Sequence, residues 1–271
     1  MKIKDHLVTQ ETFEVNYNKD LHCLKTAVES VQSFDKYYTY ETYQSHNQDE
    51  KGLFNKLYKL AQKYNLNYKF KLINQLQAEE KKILDYGCGV GDFILKMKNE
   101  KWQAQGYEPN EKAKKILADK NIVTVNTIEE IANESLGIIT LWHVLEHLAN
   151  PIDVLQTLKR KLKPNGYLII ALPNFKSFDA KYYGNNWAAY DVPRHIYHFQ
   201  RNSIQILSQK INMQYIKEKP LWLDAIYISL LSEKYKTNGN AALGIITGFI
   251  SNFLSVFTKE QSSIVYILRK T

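Results

Sequence analysis

Residues 141–151 read LWHVLEHLANP, and within them His143, Glu146 and His147 have a spacing suited to chemistry. On a helix, two imidazoles one turn apart can grip a transition metal with a carboxylate beside them, as zinc peptidases do. Directly after a buried strand, the same residues would instead stand at the mouth of a ligand cleft. His195 and His198 follow in DVPRHIYHF, so four of the seven histidines fall in two short segments. Imidazole titrates near neutral pH, which makes His143, His195 and His198 candidates for general-base catalysis. Arg194 carries a planar fork suited to an anionic substrate. Trp187, Tyr190 and Trp222 could wall a pocket or simply pack.

A second set of residues is ILDYGCGVGDF, residues 83–93, with Gly87, Gly89 and Gly91 at alternate positions. Such a turn between a strand and a helix lets backbone approach a ligand closely. The following helix start adds free N–H groups and the positive end of a dipole. Seventeen residues beyond Gly91 stands Glu108, at the end of the next apolar run, where a carboxylate can accept from ribose hydroxyls. A dinucleotide fingerprint would need glycine at position 92, but Asp92 stands there, and Asp85 precedes the loop. Acids on both sides disfavour a pyrophosphate and suit a cationic ligand.

The elements that position these residues follow from periodicity. Short apolar runs at 82–87, 104–108, 122–125, 137–142 and 167–172 read as strands. Between them lie amphipathic helices, one capped by Asn110 and one opened by Asn150-Pro151. Thr127 and Glu130 spell a capping box, and KPNG at 163–166 spells a turn. This rhythm predicts a doubly wound, Rossmann-like α/β fold with a mostly parallel sheet. Residues 174–200 form a long aromatic connection, followed by a helix over 203–211 and a strand near MQYIKEK. A helical insertion over 222–260 precedes a last strand, SSIVYILRK. Residues 1–80 read as a Tyr-rich, helical extension and 81–271 as the main domain.

Composition narrows the class. The 271 residues carry a formal net charge of +8, with lysines scattered rather than striped, so a nucleic-acid partner is not expected. Cys23 and Cys88 make no disulfide framework and fit a reducing cytoplasm. The N-terminus MKIKDHLVTQ lacks the apolar core of a signal peptide. The apolar segment 241–257 is interrupted by Gly, Thr, Ser and Asn, so burial is expected rather than stable membrane insertion.

LDYGCGVGDF with GYEPN resembles the first two motifs of class I S-adenosylmethionine-dependent methyltransferases, and LWHVLEHLANP with LKPNGYLIIALPN resembles their later ones. Within that class the chain resembles the ubiquinone-biosynthesis O-methyltransferases and the broad bacterial methyltransferase-domain group. The resemblance implies a seven-stranded sheet, S-adenosylmethionine as cofactor with S-adenosylhomocysteine as product, and a small-molecule acceptor. It also implies that Gly87, Cys88, Gly89 and Gly91 line the methionine and ribose, and that Asp85 holds the loop or the amino group. Glu108 would bind the ribose, Pro109, Asn126 and Thr127 would border the adenine, and Trp142 and His143 would stand beside the sulfonium. Some relatives carry Glu-x-x-Glu-His at this point and bind a divalent ion; here His143 replaces the first Glu. Structural, base and metal readings of the histidines stay open, with no residue assigned as a metal ligand. The rivals are a non-catalytic binding protein on the same fold and an NAD-dependent enzyme.

Overall fold

In TFEVNYN, at 12–18, every second residue is large and apolar, and the chain there is extended rather than helical. A computed structural model describes residues 1–28, 36–37 and 53–271. In it β1 (Lys2–Lys4), β2 (Thr12–Asn18) and β3 (Cys23–Thr26) form an antiparallel sheet. Its fourth strand, β9 (Tyr197–His198), comes from the distant aromatic segment, with Leu24 opposite His198. This corrects the helical expectation for the first residues. Period-two alternation, with Ile3 and Val15 buried, overrides the weak local helix signal. The helical part of the extension is α1 (Leu53–Asn74).

The main sheet is built from β4 (Lys82–Tyr86), β5 (Gln103–Tyr107), β6 (Thr124–Val125), β7 (Leu136–Trp142), β8 (Leu162–Pro173), β10 (Gln214–Pro220) and β11 (Ser263–Arg269). Its order is β10-β11-β8-β7-β4-β5-β6, parallel from β8 to β6, with β11 antiparallel to both neighbours. Ile138, Ile139, Leu141 and Leu168 to Leu172 are fully buried, as continuous apolar strands covered on both faces must be. Helices α2 (Asp92–Asn99), α3 (Glu111–Asp119) and α4 (Pro151–Lys161) connect them. Asn110 caps α3 through the N–H groups of Lys112 and Ala113, as expected. Asn150 precedes α4 without a side-chain cap bond, so Pro151 in the first turn marks that start. The KPNG turn survives only as the positive φ of Asn165, because strand pairing already begins at Leu162.

The segment after β8 contains α5 (Phe178–Tyr183), and α6 (Arg201–Lys210) leads into β10. The insertion is a helix pair, α7 (Trp222–Tyr235) and α8 (Ala241–Thr258). The expected burial of α8 is overturned. It buries Gly244, Thr247, Gly248, Ser251 and Ser255 and leaves its large apolar residues exposed. Among the described residues, α8 is the one helix long and apolar enough to cross a membrane by length and composition.

Candidate functional site

The chain leaves β4 toward β5 and returns to β4's other side at β7, so the sheet order reverses between β4 and β7. Crevices outside the carboxyl ends of strands at such a point are where ligands bind in open α/β sheets. A cleft of about 410 Å³ opens there. The glycine loop after β4 and Trp142 at the end of β7 form its floor, and Gln62, Asn65 and Lys69 of α1 and Leu223, Asp224 and Tyr227 of α7 its walls.

The three glycines share a positive φ but do different things. A Cβ at Gly87 would meet Val144 at 2.6 Å, and one at Gly91 would collide with Ile122 and Leu117. A Cβ at Gly89 (φ +54°) would meet nothing within 4 Å, because that position faces the open cleft. Gly91 is therefore a packing glycine at the start of α2 rather than part of the cleft lining. The loop is pinned from behind: Gly87 N and Cys88 N donate to Tyr107 O at 2.7 and 3.1 Å. Glu108 accepts from Gly89 N at 2.8 Å and from Asn110 N at 2.9 Å. Burial raises the Glu108 carboxyl above its ordinary range, and these two hydrogen bonds restrain the shift. Each oxygen has a second lone pair, although the carboxylate is buried behind Gly89 and lies outside the cleft lining.

Asp85 lies under the loop and is buried, with Thr140 Oγ1 donating to it at 2.7 Å. Burial pushes its pKa up to about 6, against the pull of Thr140 and Lys69. The Lys69 ammonium stands 4.4 Å from the centre of the Trp142 ring. Burial lowers its pKa, and Asp85 and Asp224 counter that shift. Trp142 Nε1 is buried with no hydrogen-bond partner, and its ring packs edge-on against Phe93. A cleft with a buried acid, a cation over an aromatic ring and an orphaned indole N–H fits a zwitterionic, aromatic-bearing cofactor.

His143 stands at the rim with φ +57°. Its Nε2 is 3.1 Å from Asp224 Oδ2, and its Nδ1 is 3.4 Å from Glu146 Oε1. Burial alone would lower its pKa, but the two carboxylates outweigh burial and raise it to about 9. Two carboxylates against the two ring nitrogens favour the imidazolium, which has no lone pair to take a proton, so this arrangement does not favour His143 as a base.

The remaining histidines lie elsewhere. His198 Nε2 pairs with Thr26 Oγ1 at 3.0 Å, its ring packs edge-on against Tyr190, and burial lowers its pKa to about 3. His195 Nδ1 pairs with Ala189 O at 2.9 Å. Neither residue lines the cleft, so the base expectation fails there on position as well. His147 Nδ1 pairs with Arg194 O at 2.9 Å, and its pKa falls to about 4, through burial first and His195 second. Arg194 is not available to a substrate. It is buried and gives its guanidinium to Asp5, Asp191 and the Tyr37 carbonyl. Trp187 and Tyr190 are packing residues in the layer that Ile3 and Val15 cover. Asn126 and Thr127 donate their backbone N–H groups to Glu130 at the end of β6 and, with Pro109, lie outside the cleft lining.

Glu146, His147 and His195 bring one ligand atom each within 4.8 Å of one another, a grouping able to hold a metal ion. Glu146 is 1% exposed, and neither of its oxygens has an aligned hydrogen bond, although His143 is near enough for an ion pair. Nδ1 of both His147 and His195 faces a backbone carbonyl, as metal-bound imidazoles commonly do with their other ring nitrogen, while His195 Nε2 also lies 3.9 Å from Asp191 Oδ2. Sequence reasoning missed Lys69 and Asp224. Lys69 is one of many lysines on α1, and only its position over Trp142 distinguishes it.

The doubly wound sheet, the glycine loop on an acid-bearing strand and the cleft at the switch point define a Rossmann-like, nucleoside-cofactor-binding class. Residues 57–218, more than half of the chain, match the family described as "Methyltransferase domain", and the chain belongs to that family. Its cofactor is S-adenosylmethionine, as for the class. A ubiquinone biosynthesis O-methyltransferase from Actinobacillus pleuropneumoniae is 28% identical over 138 residues, covering 45% of this chain and 58% of that protein. The chain spans about half the length of the curated relatives it matches. A SAM-dependent methyltransferase from Archaeoglobus fulgidus has a TM-score of 0.52 at 18% identity, covering 76% of this chain and 94% of that one. The cyclase SpnF has a TM-score of 0.50 at 13% identity, covering 74% and 80%. Likeness at these identities establishes the fold, which hosts more than one named activity.

Proposed function

We propose that the chain transfers a methyl group from S-adenosylmethionine to an oxygen of a small-molecule acceptor. The observation that carries this reading is the open Cβ space at Gly89, beside the pinned Glu108, at the sheet's switch point. The names of the curated relatives support oxygen as the acceptor atom. Bound there, the cofactor supplies an electrophilic methyl on a sulfonium.

In this reading the loop from Gly87 to Gly89, with Cys88, receives the methionine and ribose. Glu108 uses its second lone pairs for the ribose hydroxyls. Pro109, Asn126 and Thr127, outside the cleft lining, would meet the adenine only where it extends past Gly89 toward the end of β6. Lys69 pairs with the methionyl carboxylate, and Asp85 faces the amino group. Trp142 and the Leu223–Tyr227 wall exclude water from the reacting end, which protects an in-line displacement that depends chiefly on alignment. His143, held as a cation by Asp224 and Glu146, fixes α7 over the cleft and takes no proton.

Calorimetry with S-adenosylhomocysteine and with NAD, followed by labelled-methyl transfer to a panel of phenols and catechols, tests the reading. Micromolar binding of the former and label on an acceptor oxygen are expected. Binding of NAD alone would overturn it, and binding without transfer to any acceptor would favour a non-catalytic role. A divalent cation at Glu146, His147 and His195 is a second reading, favoured by the buried Glu146 carboxylate, whose oxygens accept no aligned hydrogen bond. Mn²⁺ or Zn²⁺ should then raise the melting temperature, and His195→Ala should abolish that rise.

A further inference from the structure

The arrangement of α8 is inverted for a helix in water. Its inward side carries Gly244, Thr247, Gly248, Ser251 and Ser255 at three- and four-residue spacing. Its outward side carries Ile246, Phe249, Phe253, Val256 and Phe257, and the three phenylalanines are 59%, 65% and 71% exposed. The helix cannot turn over to hide them. A Cβ at Gly248 would meet the Ile226 backbone at 2.5 Å, and one at Gly244 would meet Leu230 Cα at 3.0 Å. Ser251 Oγ donates to the buried Asp179 at 2.7 Å, and Asn252 Nδ2 donates to Trp222 O at 2.8 Å. Close packing of small residues thus locks the apolar side outward. Contiguous exposed apolar patches of this kind mark interaction sites.

Charge around the patch identifies what it meets. From 237 to 258 the chain has no charged residue. On α5 and α7, the helices packed against α8, the exposed charged side chains are Lys181 and Lys234, and Lys259 follows the end of α8. The acids there are turned away: Asp179 and Glu233 are buried, Asp224 faces His143, and Glu260 accepts from Asn174. An apolar helix face with a lysine rim matches the boundary between acyl chains and anionic headgroups.

We propose that the outer face of α8 docks on an anionic lipid bilayer. The helix lies in the plane of the surface, because its inner side is committed to α5 and α7 and cannot be surrounded by lipid. A second copy of the chain is a poorer occupant, since two such faces in contact would oppose lysine to lysine. The idea is independent of the acceptor assigned above.

Co-sedimentation of the full chain with phosphatidylcholine vesicles, with and without phosphatidylglycerol, tests the proposal. The protein should pellet with the anionic vesicles and be released by salt. The double variant Phe253→Ser, Phe257→Ser should lose at least about tenfold in partitioning, because two anchors leave the bilayer. The triple variant Lys181→Glu, Lys234→Glu, Lys259→Glu should bind anionic vesicles no better than neutral ones. Both variants should retain the melting temperature and S-adenosylhomocysteine affinity of the parent chain. No partitioning onto either vesicle, or unchanged partitioning of the phenylalanine variant, would overturn the proposal. So would a vesicle-indifferent dimer that the phenylalanine variant dissociates, which would make a second copy the occupant.

Discussion

His143 and His147 are four residues apart, yet they serve two regions with opposite character. His143 adopts φ +57°, which breaks any helix that could place both imidazoles on one face. A short 3₁₀ turn, Leu145–His147, then carries His147 away from the cleft rim and under the aromatic segment. The metal-gripping helix suggested by the spelling does not form. At the cleft, groups keep room beside them: Lys69 stands over Trp142, and a Cβ at Gly89 would meet nothing within 4 Å. Beneath β3, Arg194 and His198 spend their polar atoms on the protein itself. The contrast teaches that reactive residue types mark a site only where the fold leaves them something to bind.

The largest effect should come from breaking the satisfied region. Arg194→Ala strands the buried Asp5 and the carboxylate of Asp191, a loss of about 3–5 kcal/mol in stability. Urea unfolding should record that loss, while the surviving folded protein keeps its S-adenosylhomocysteine affinity. An affinity loss to match would place Arg194 in the cleft after all.

The glycine loop separates the two kinds of role within a few residues. Gly89→Val should weaken S-adenosylhomocysteine binding by at least about 100-fold, near 3 kcal/mol, with only modest loss of stability. Gly91→Val should instead fail by unfolding, because Ile122 and Leu117 fill the space. Calorimetry beside thermal melts distinguishes them, and identical behaviour would erase the distinction. A smaller effect is expected at Glu108. Glu108→Ala should cost roughly 1.5–3 kcal/mol of binding, the range for hydrogen bonds to a charged group. A ligand lacking both ribose hydroxyls should bind variant and parent alike.

A further test is a pH signature of opposite sign in the two regions. His143 has its folded pKa raised to about 9 from 6.5. Its contribution is present below about 6.5 and lost as pH rises through about 9. His147 and His198 are depressed to about 4 and about 3. Their contribution is present above about 6.5 and lost as pH falls toward those values. Melting temperature against pH should therefore lose its alkaline decline in His143→Gln and soften its acid decline in His198→Gln. Unchanged limbs in both variants would reject the assignment of charge states.

Much of the fold was legible because strands at 82–86, 136–142 and 162–173 carry apolar runs bounded by turn residues and separated by helices with recognisable starts. The glycine loop and Glu108 were legible for the same local reason. The N-terminal strands were not, since β1 and β3 are short and one of their partners, β9, comes from far along the chain. The alternation of Phe13, Val15 and Tyr17 was a usable signal all the same. Lys69 and Asp224 gain meaning only from tertiary placement, because local patterning does not distinguish one surface-type residue from the next. The facing of α8 could have been read from its small residues, recurring every three or four positions, against the habit of burying the large ones.

The helix pair α7–α8 is a single excursion of the chain between two paired strands. Its two ends meet across a strand pair, Pro220 opposite Ile264, so the sheet closes whatever lies between them. One excursion of the chain carries the Leu223–Tyr227 wall of the cleft and the apolar outer face together. In the proposed readings, exchanging residues 221–262 as a block would change acceptor choice and surface docking in a single step. The glycine loop, on the other side of the cleft, would keep its backbone frame.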